Sequence, residues 1–445
     1  MERRGDSLTV TIAGQEIFKY AIGTKSLGTF ALRPHRSRMT VFDFAVSGSL
    51  VPLSKQESDT LASNKLPSML EMFFPPEVSY QILYRNGKRF DGYNNIRIPA
   101  IIATKKGTLL AFAEGRESGD ADKIETIVRR SEDNGKTWGP IQAVWVDGDE
   151  TCGNPCPVQD METGTIWLFG TWNLGADIES KIMDGTSGKP RIPYVMKSDD
   201  DGKTWSKAQK LEHLRKPDWG WYATGPCNAI QLTRGPHKGR LVIPANHSVV
   251  AKELKWAERY CSHIVYSDDH GATWKLGGIN EPYTNESTVV ELEDGSVMQN
   301  MRSYHNKGCR AVAVSRDGGV TFPAAGMAAG KPSDDAYLDL TLYTPVCEAS
   351  ILRYSWAKDG KPGVILFAGP QGRERSRLTV WMSEDDGKTW KHRQLVFDGP
   401  AAYSNLVALP DGMVGLLCEV GPYTPYQTVS FLTFPLSWIA SAPAP

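Results

Sequence analysis

One eight-residue phrase, Ser-x-Asp-x-Gly-x-Thr followed by an aromatic, recurs five times along this chain. It begins at Ser131, Ser198, Ser267, Ser315 and Ser383 and closes on Trp138, Trp205, Trp274, Phe322 and Trp390. Repetition at such intervals points to an architecture of like modules. Each copy follows an apolar or alternating run, such as Ile124 to Val128 or Leu378 to Met382, which reads as a strand. The phrase carries turn chemistry: an Asp able to accept backbone amides and a Gly where the chain needs positive φ. It therefore predicts a hairpin corner with the closing aromatic tucked beneath it, a scaffold feature and not an active site.

A second repeat occurs six times, as Gly-led strands from Gly107, Gly164, Gly239, Gly295, Gly363 and Gly412. Six strand-rich modules predict an all-β, six-bladed β-propeller over residues 76 to 440. Residues 1 to 75 read as an N-terminal appendage with a few strands and a connector, and residues 441 to 445 as a tail.

Lys and Arg number 50 against 51 Asp and Glu, and there is no long basic run, which argues against nucleic acid or an anionic membrane as partner. No stretch has the unbroken apolar length of a membrane span, and the start lacks an apolar secretory core. The expectation is a cytoplasmic protein, or an extracellular or periplasmic one if a leader is removed. Seven cysteines without CxxC spacing argue against a zinc knuckle or a full disulfide framework. Eight histidines show no HxxxH spacing, so neither a catalytic metal nor a cofactor is expected.

Strand direction sorts the polar residues. Neighbouring strands alternate direction, so the ends of the Gly-led strands gather on one rim and the corners on the other. Arg116 and Arg302 leave the tops of Gly-led strands, and Arg375 lies in the connection after one. Arg97, Glu286 and Tyr403 begin runs descending to the next turn, and Asp120 sits in the loop after Arg116. All seven belong to one rim. Any one arginine alone reads as a surface ion pair. Three from different modules read better as a clamp for a planar carboxylate.

At this point the chain resembles the exo-α-sialidases (neuraminidases) of bacterial type, over roughly residues 76 to 440. The corners look like that family's Asp boxes. Ile96-Arg-Ile-Pro99, Phe112-Ala-Glu-Gly-Arg116, Asp120 followed by Arg129-Arg130, Gly153-Asn-Pro-Cys-Pro157 and Trp221-Tyr-Ala-Thr-Gly-Pro226 resemble family segments. Asn285-Glu286 with Arg302 resembles its base and second arginine, Arg375-Ser-Arg-Leu-Thr379 its third-arginine segment, and Tyr403 its nucleophile. Arg377 stands where Asn or Asp is usual, which leaves Arg373 as the neighbouring alternative to Arg375. Leu416-Leu-Cys-Glu419 resembles the segment whose acid steadies the first arginine.

The resemblance implies hydrolysis of terminal sialic acids from glycans with net retention. A carboxylate on the anomeric carbon repels a charged nucleophile, so a neutral phenol, Tyr403, is suited to attack, with Glu286 as its base. Asp120, or its neighbour Asp122, would protonate the leaving oxygen. Arg97, Arg302 and Arg375 would hold the carboxylate, and Arg116 would lie beside the sugar. A trans-sialidase, a sialidase preferring the deaminated sugar Kdn, and a carbohydrate-binding propeller without catalysis are the alternatives. Oligomeric state is not legible.

Overall fold

The computed structural model describes residues 2–4, 7–12, 15–21, 69–323 and 335–442. The chain divides into two compact units, residues 1–65 and 66–445. The first contains a three-stranded antiparallel sheet of Glu2–Arg4, Ser7–Ile12 and Gln15–Ala21.

The second unit is all-β in character, its strands falling into consecutive antiparallel meanders. Asn95–Ala103, Leu109–Arg116, Ile124–Ser131 and Gln142–Trp145 form the first. Thr151–Gln159 opens the second, Trp219–Thr224 the third, Thr284–Glu291 the fourth and Ser350–Ser355 the fifth. The core lies between neighbouring meanders. Phe112 and Leu110 of the first pack with Leu168 and Ile166 of the second, and Phe169 of the second packs with Ile243 of the third.

Two features were not legible in the sequence. Tyr403 does not begin a strand: His392–Ala408 runs unbroken for 17 residues, pairing first with Ser376–Ser383 and then with Met413–Val420, so one strand serves two meanders. The last meander is completed by a strand from the opposite end of the unit, Ser79–Arg85, which pairs with Thr428–Pro435. That is why the sixth Gly-led strand has no corner after it.

The corners form as their chemistry requires. In each, the Ser hydroxyl donates to the Asp and accepts the Gly amide, as Ser267 does at 2.8 and 2.9 Å. The Asp then accepts the Thr amide and hydroxyl, 2.8 and 2.6 Å for Asp269 and Thr273. Hydrogen bonds of this kind hold Asp133 and Asp200 down to about 2. The corners also bind the preceding meander. Trp138 meets Phe431, Trp205 meets Phe112 and Trp274 meets Phe169, each edge to face.

The corner glycine is needed twice over. At Gly271 φ is +88°, and a Cβ would stand 2.2 Å from the ring of Trp167. That ring cannot swing away, because its Nε1 donates to the carbonyl of His270 and it packs against Trp274. Gly164 has φ +82° with nothing near its absent Cβ. Gly164→Ala is therefore expected to cost about 1–2 kcal/mol, the strain of an L-residue in that region. Gly271→Ala adds overpacking of about 1–3 kcal/mol. Urea unfolding monitored by tryptophan fluorescence measures both, and equal losses would refute the second role.

Candidate active site

The strands that carry corners at one end place a cleft at the other. Ile124 lines the cleft while Ser131, at the far end of the same strand, opens a corner. Seven steps of strand separate them by roughly 23 Å. The cleft is open to solvent. Arg97, Arg116, Asp120, Glu286, Arg302, Arg375 and Tyr403 all line it, and no corner residue does.

Its floor is organised by Glu419, which is fully buried. Arg97 grips this carboxylate with a two-pronged fork, Nε to Oε1 at 3.0 Å and Nη2 to Oε2 at 3.1 Å. The amides of Ile98 and Tyr403 donate to the same group at 3.0 and 3.2 Å. Ile98 takes φ +62°, a costly conformation for a β-branched residue, and the strand register slips between Arg97 and Ala100. Burial disfavours the Arg97 charge, but Glu419 outweighs it and raises the guanidinium above its ordinary value. The third nitrogen, Nη1, remains directed at the cleft, 3.6 Å from Asp120.

Tyr403 stands in the middle. Its hydroxyl donates to Glu286, with the two carboxylate oxygens at 2.7 and 2.8 Å. Arg302 Nη1 donates to Glu286 at 2.7 Å and to the Tyr403 oxygen at 3.2 Å. Burial, followed by the Glu286 charge, pushes the phenol well above its usual value, so it remains protonated. Arg97 and Arg375 lie 5.0 and 5.5 Å from the centre of its ring. Arg375 donates to the Tyr426 hydroxyl at 2.7 Å and the Val346 carbonyl at 3.3 Å, and it has no ion pair among the described residues. Two neutral oxygens leave its charge unanswered, which suits a bound anion.

Asp120 lies at the mouth, its side chain 82 % exposed, beside Arg116. Desolvation pushes its carboxyl up, but Arg116 and Arg97 outweigh this and hold it below the usual range. The alternatives separate here. Asp122 accepts the amide of Lys123 and does not line the cleft. Arg373 donates to Tyr343 outside it, and Arg377 turns toward Asp398 at 3.8 Å. Arg116 is held by Glu114, whose other oxygen accepts the amide of Asn154 at 2.6 Å.

Several lining residues carry no role in the sequence reading. Arg191 is buried with Nε on the hydroxyl of Thr171 and its guanidinium 4.1 Å from the Trp221 ring centre. Burial lowers it to about 10, and it has no ion pair among the described residues. Glu179 accepts from Tyr260, and burial raises its carboxyl. Trp256 and Tyr304 complete an aromatic wall. One signal was available for Arg191: Arg191-Ile-Pro193 repeats the triplet Arg97-Ile-Pro99.

The chain is similar to known proteins. The family description "BNR repeat-like domain" matches residues 107–416. A sialidase of Micromonospora viridifaciens is 34 % identical over 385 residues, which cover 83 % of this chain and 56 % of that protein. The chain thus spans little more than half of that relative. An exo-alpha-sialidase of Aspergillus fumigatus is 30 % identical over 79 % of this chain and 86 % of its own length. Among solved structures, Hadza microbial sialidase Hz136 superposes with a TM-score of 0.65 at 26 % identity, covering 78 % of this chain and 68 % of that one. By these matches and the cleft's residues, the chain belongs to the BNR-repeat sialidase family.

Proposed function

We propose that this protein is an exo-α-sialidase that releases terminal sialic acid from glycans with retention, using Tyr403 as nucleophile. The observation that carries this is the Tyr403 hydroxyl donating to Glu286 beneath three guanidiniums. We also read the meanders as a six-bladed propeller. In support, the first strands of successive meanders touch, except that Thr284–Glu291 of the fourth meets Leu241–Val249 of the third, and Asn95–Ala103 touches His392–Ala408 to close the series.

The substrate carboxylate would sit among Arg97 Nη1, Arg302 and Arg375, each already held by other contacts and so pre-oriented. That placement brings the anomeric carbon toward the phenol oxygen. Glu286 takes the phenolic proton as the carbon–oxygen bond forms, and the neutral nucleophile avoids repulsion by the substrate's own carboxylate. Asp120 gives its proton to the departing oxygen. Water, activated by the same carboxylate, then releases the sugar. Arg116 and Arg97 keep Asp120 ionised. A bound carboxylate would neutralise part of that field and return the proton affinity a general acid needs.

A second reading concerns the sugar. Beyond Arg116 the wall is polar and charged, with Asn154, Arg191 and Glu179. A buried guanidinium without a carboxylate partner favours a hydroxyl over an N-acetyl methyl, and therefore Kdn. Paired aryl glycosides of N-acetylneuraminic acid and Kdn test this. Arg191→Leu is expected to lower the ratio of Kdn to N-acetylneuraminic acid turnover by about tenfold, as loss of one charged hydrogen bond would. An unchanged ratio would refute it.

Tyr403→Phe is expected to lower kcat on every sialoside by about 10²–10⁴-fold. Asp120→Ala is expected to lose a similar factor on sialyl-lactose but far less on a nitrophenyl sialoside, which needs little protonation to leave. Steady-state kinetics on the two substrates decide it, and equal losses on both would remove Asp120 as the acid.

The same group sets the pH dependence. Because Asp120 is held below its usual range and must be protonated to act, kcat/KM on sialyl-lactose should fall as pH rises from the acid range to neutrality. The nitrophenyl substrate should show a shallower fall. A limb that persists unchanged in Asp120→Ala would belong to another group.

A further inference from the structure

We propose that Glu348 is a positioning residue for Tyr403, acting through the backbone amide of Ser404; this rests on Tyr403 being the nucleophile. Ala401 faces Val420 and Ser404 faces Cys418, so three steps on one strand span two on its partner. Such a bulge displaces amides from the ladder and re-aims the side chain at that point. Two buried carboxylates take up the displaced amides. Tyr403 N donates to Glu419 Oε2 at 3.2 Å, and Ser404 N donates to Glu348 Oε2 at 2.9 Å.

Glu348 comes from a separate segment whose place is itself fixed. Arg310, fully buried, donates from Nη1 to the Cys347 carbonyl at 2.7 Å and from Nε to Asn300 Oδ1 at 2.7 Å. Arg310 also faces Arg302 across the strand pair, so one framework reaches the amide next to the nucleophile and the strand that carries the guanidinium beside its hydroxyl. This arrangement leaves a buried polar atom idle. Glu348 is 2 % exposed, and its Oε1 has no hydrogen-bond partner. An apolar side chain would avoid the cost of that idle oxygen but could not accept from Ser404. Burial pushes the Glu348 carboxyl up, and the Glu286 charge works in the same direction against the Ser404 amide and Arg310. The amide needs an acceptor at the right reach and not a net charge, which glutamine supplies and aspartate does not.

The test is kcat and KM on a nitrophenyl sialoside for Glu348→Gln and Glu348→Asp, with Tyr403→Phe alongside and thermal melts for all three. Arg97, Arg302 and Arg375 keep the hydrogen bonds that Glu419, Glu286 and Tyr426 supply, so KM should remain within about threefold while kcat of Glu348→Asp falls about 10–100-fold, as a misplaced nucleophile would. Glu348→Gln should remain within about threefold of wild type in kcat. Loss in Glu348→Gln, or wild-type kcat in Glu348→Asp, would overturn the proposal. If Tyr403→Phe kept its activity, the reading of the nucleophile itself would fail. If Tyr403→Phe is inactive and Glu348→Asp is not, only the role of Glu348 falls.

Discussion

A single buried carboxylate joins the architecture to the cleft. Glu419 accepts from the Arg97 fork and from the amides of Ile98 and Tyr403, and these residues lie more than 300 positions apart at the two ends of the strand series. A carboxylate taken out of water is tolerable only with such complete satisfaction. Each partner is therefore held by the others' need for it. The fold comes together where the cleft is built, because the same contacts serve both.

That arrangement explains how so many charges coexist in a confined cleft. Arg97 is matched by Glu419, Arg302 by Glu286 and Arg116 by Glu114, each pair fixed by hydrogen-bond geometry. Among the described residues, Arg375 is matched only by neutral oxygens. The excess positive field is thus local and directed, and it falls on the ring of Tyr403. Field from aligned donors needs no reorganisation when an anion arrives, which is the condition for electrostatic stabilisation to act on a transition state.

The corners on the opposite rim carry no chemistry, yet the cleft depends on them. Each packs its glycine and aromatic against the preceding meander, as Gly202 and Trp205 do on Leu110 and Phe112. These contacts fix the angle between neighbouring meanders and hence the spacing of side chains at the far ends of their strands. Ile98 and the bulge at Tyr403 place backbone strain close to the reacting groups, where the surrounding structure can hold it.

The sequence by itself determined the β modules, the corners and the convergence of Arg97, Arg302, Arg375, Glu286 and Tyr403. Those follow from local turn chemistry and strand parity, which neighbouring residues encode. Only the tertiary structure decided that Ser79–Arg85 completes the last meander, that Tyr403 lies within a strand shared by two, and that Asp120 and not Asp122 reaches Arg97. It alone brought Glu179 and Glu348 to their partners Tyr260 and Ser404 on other meanders, and only the Arg-Ile-Pro triplet hinted at Arg191. Periodicity specifies which way a side chain points; what it meets there is set by the packing of distant strands.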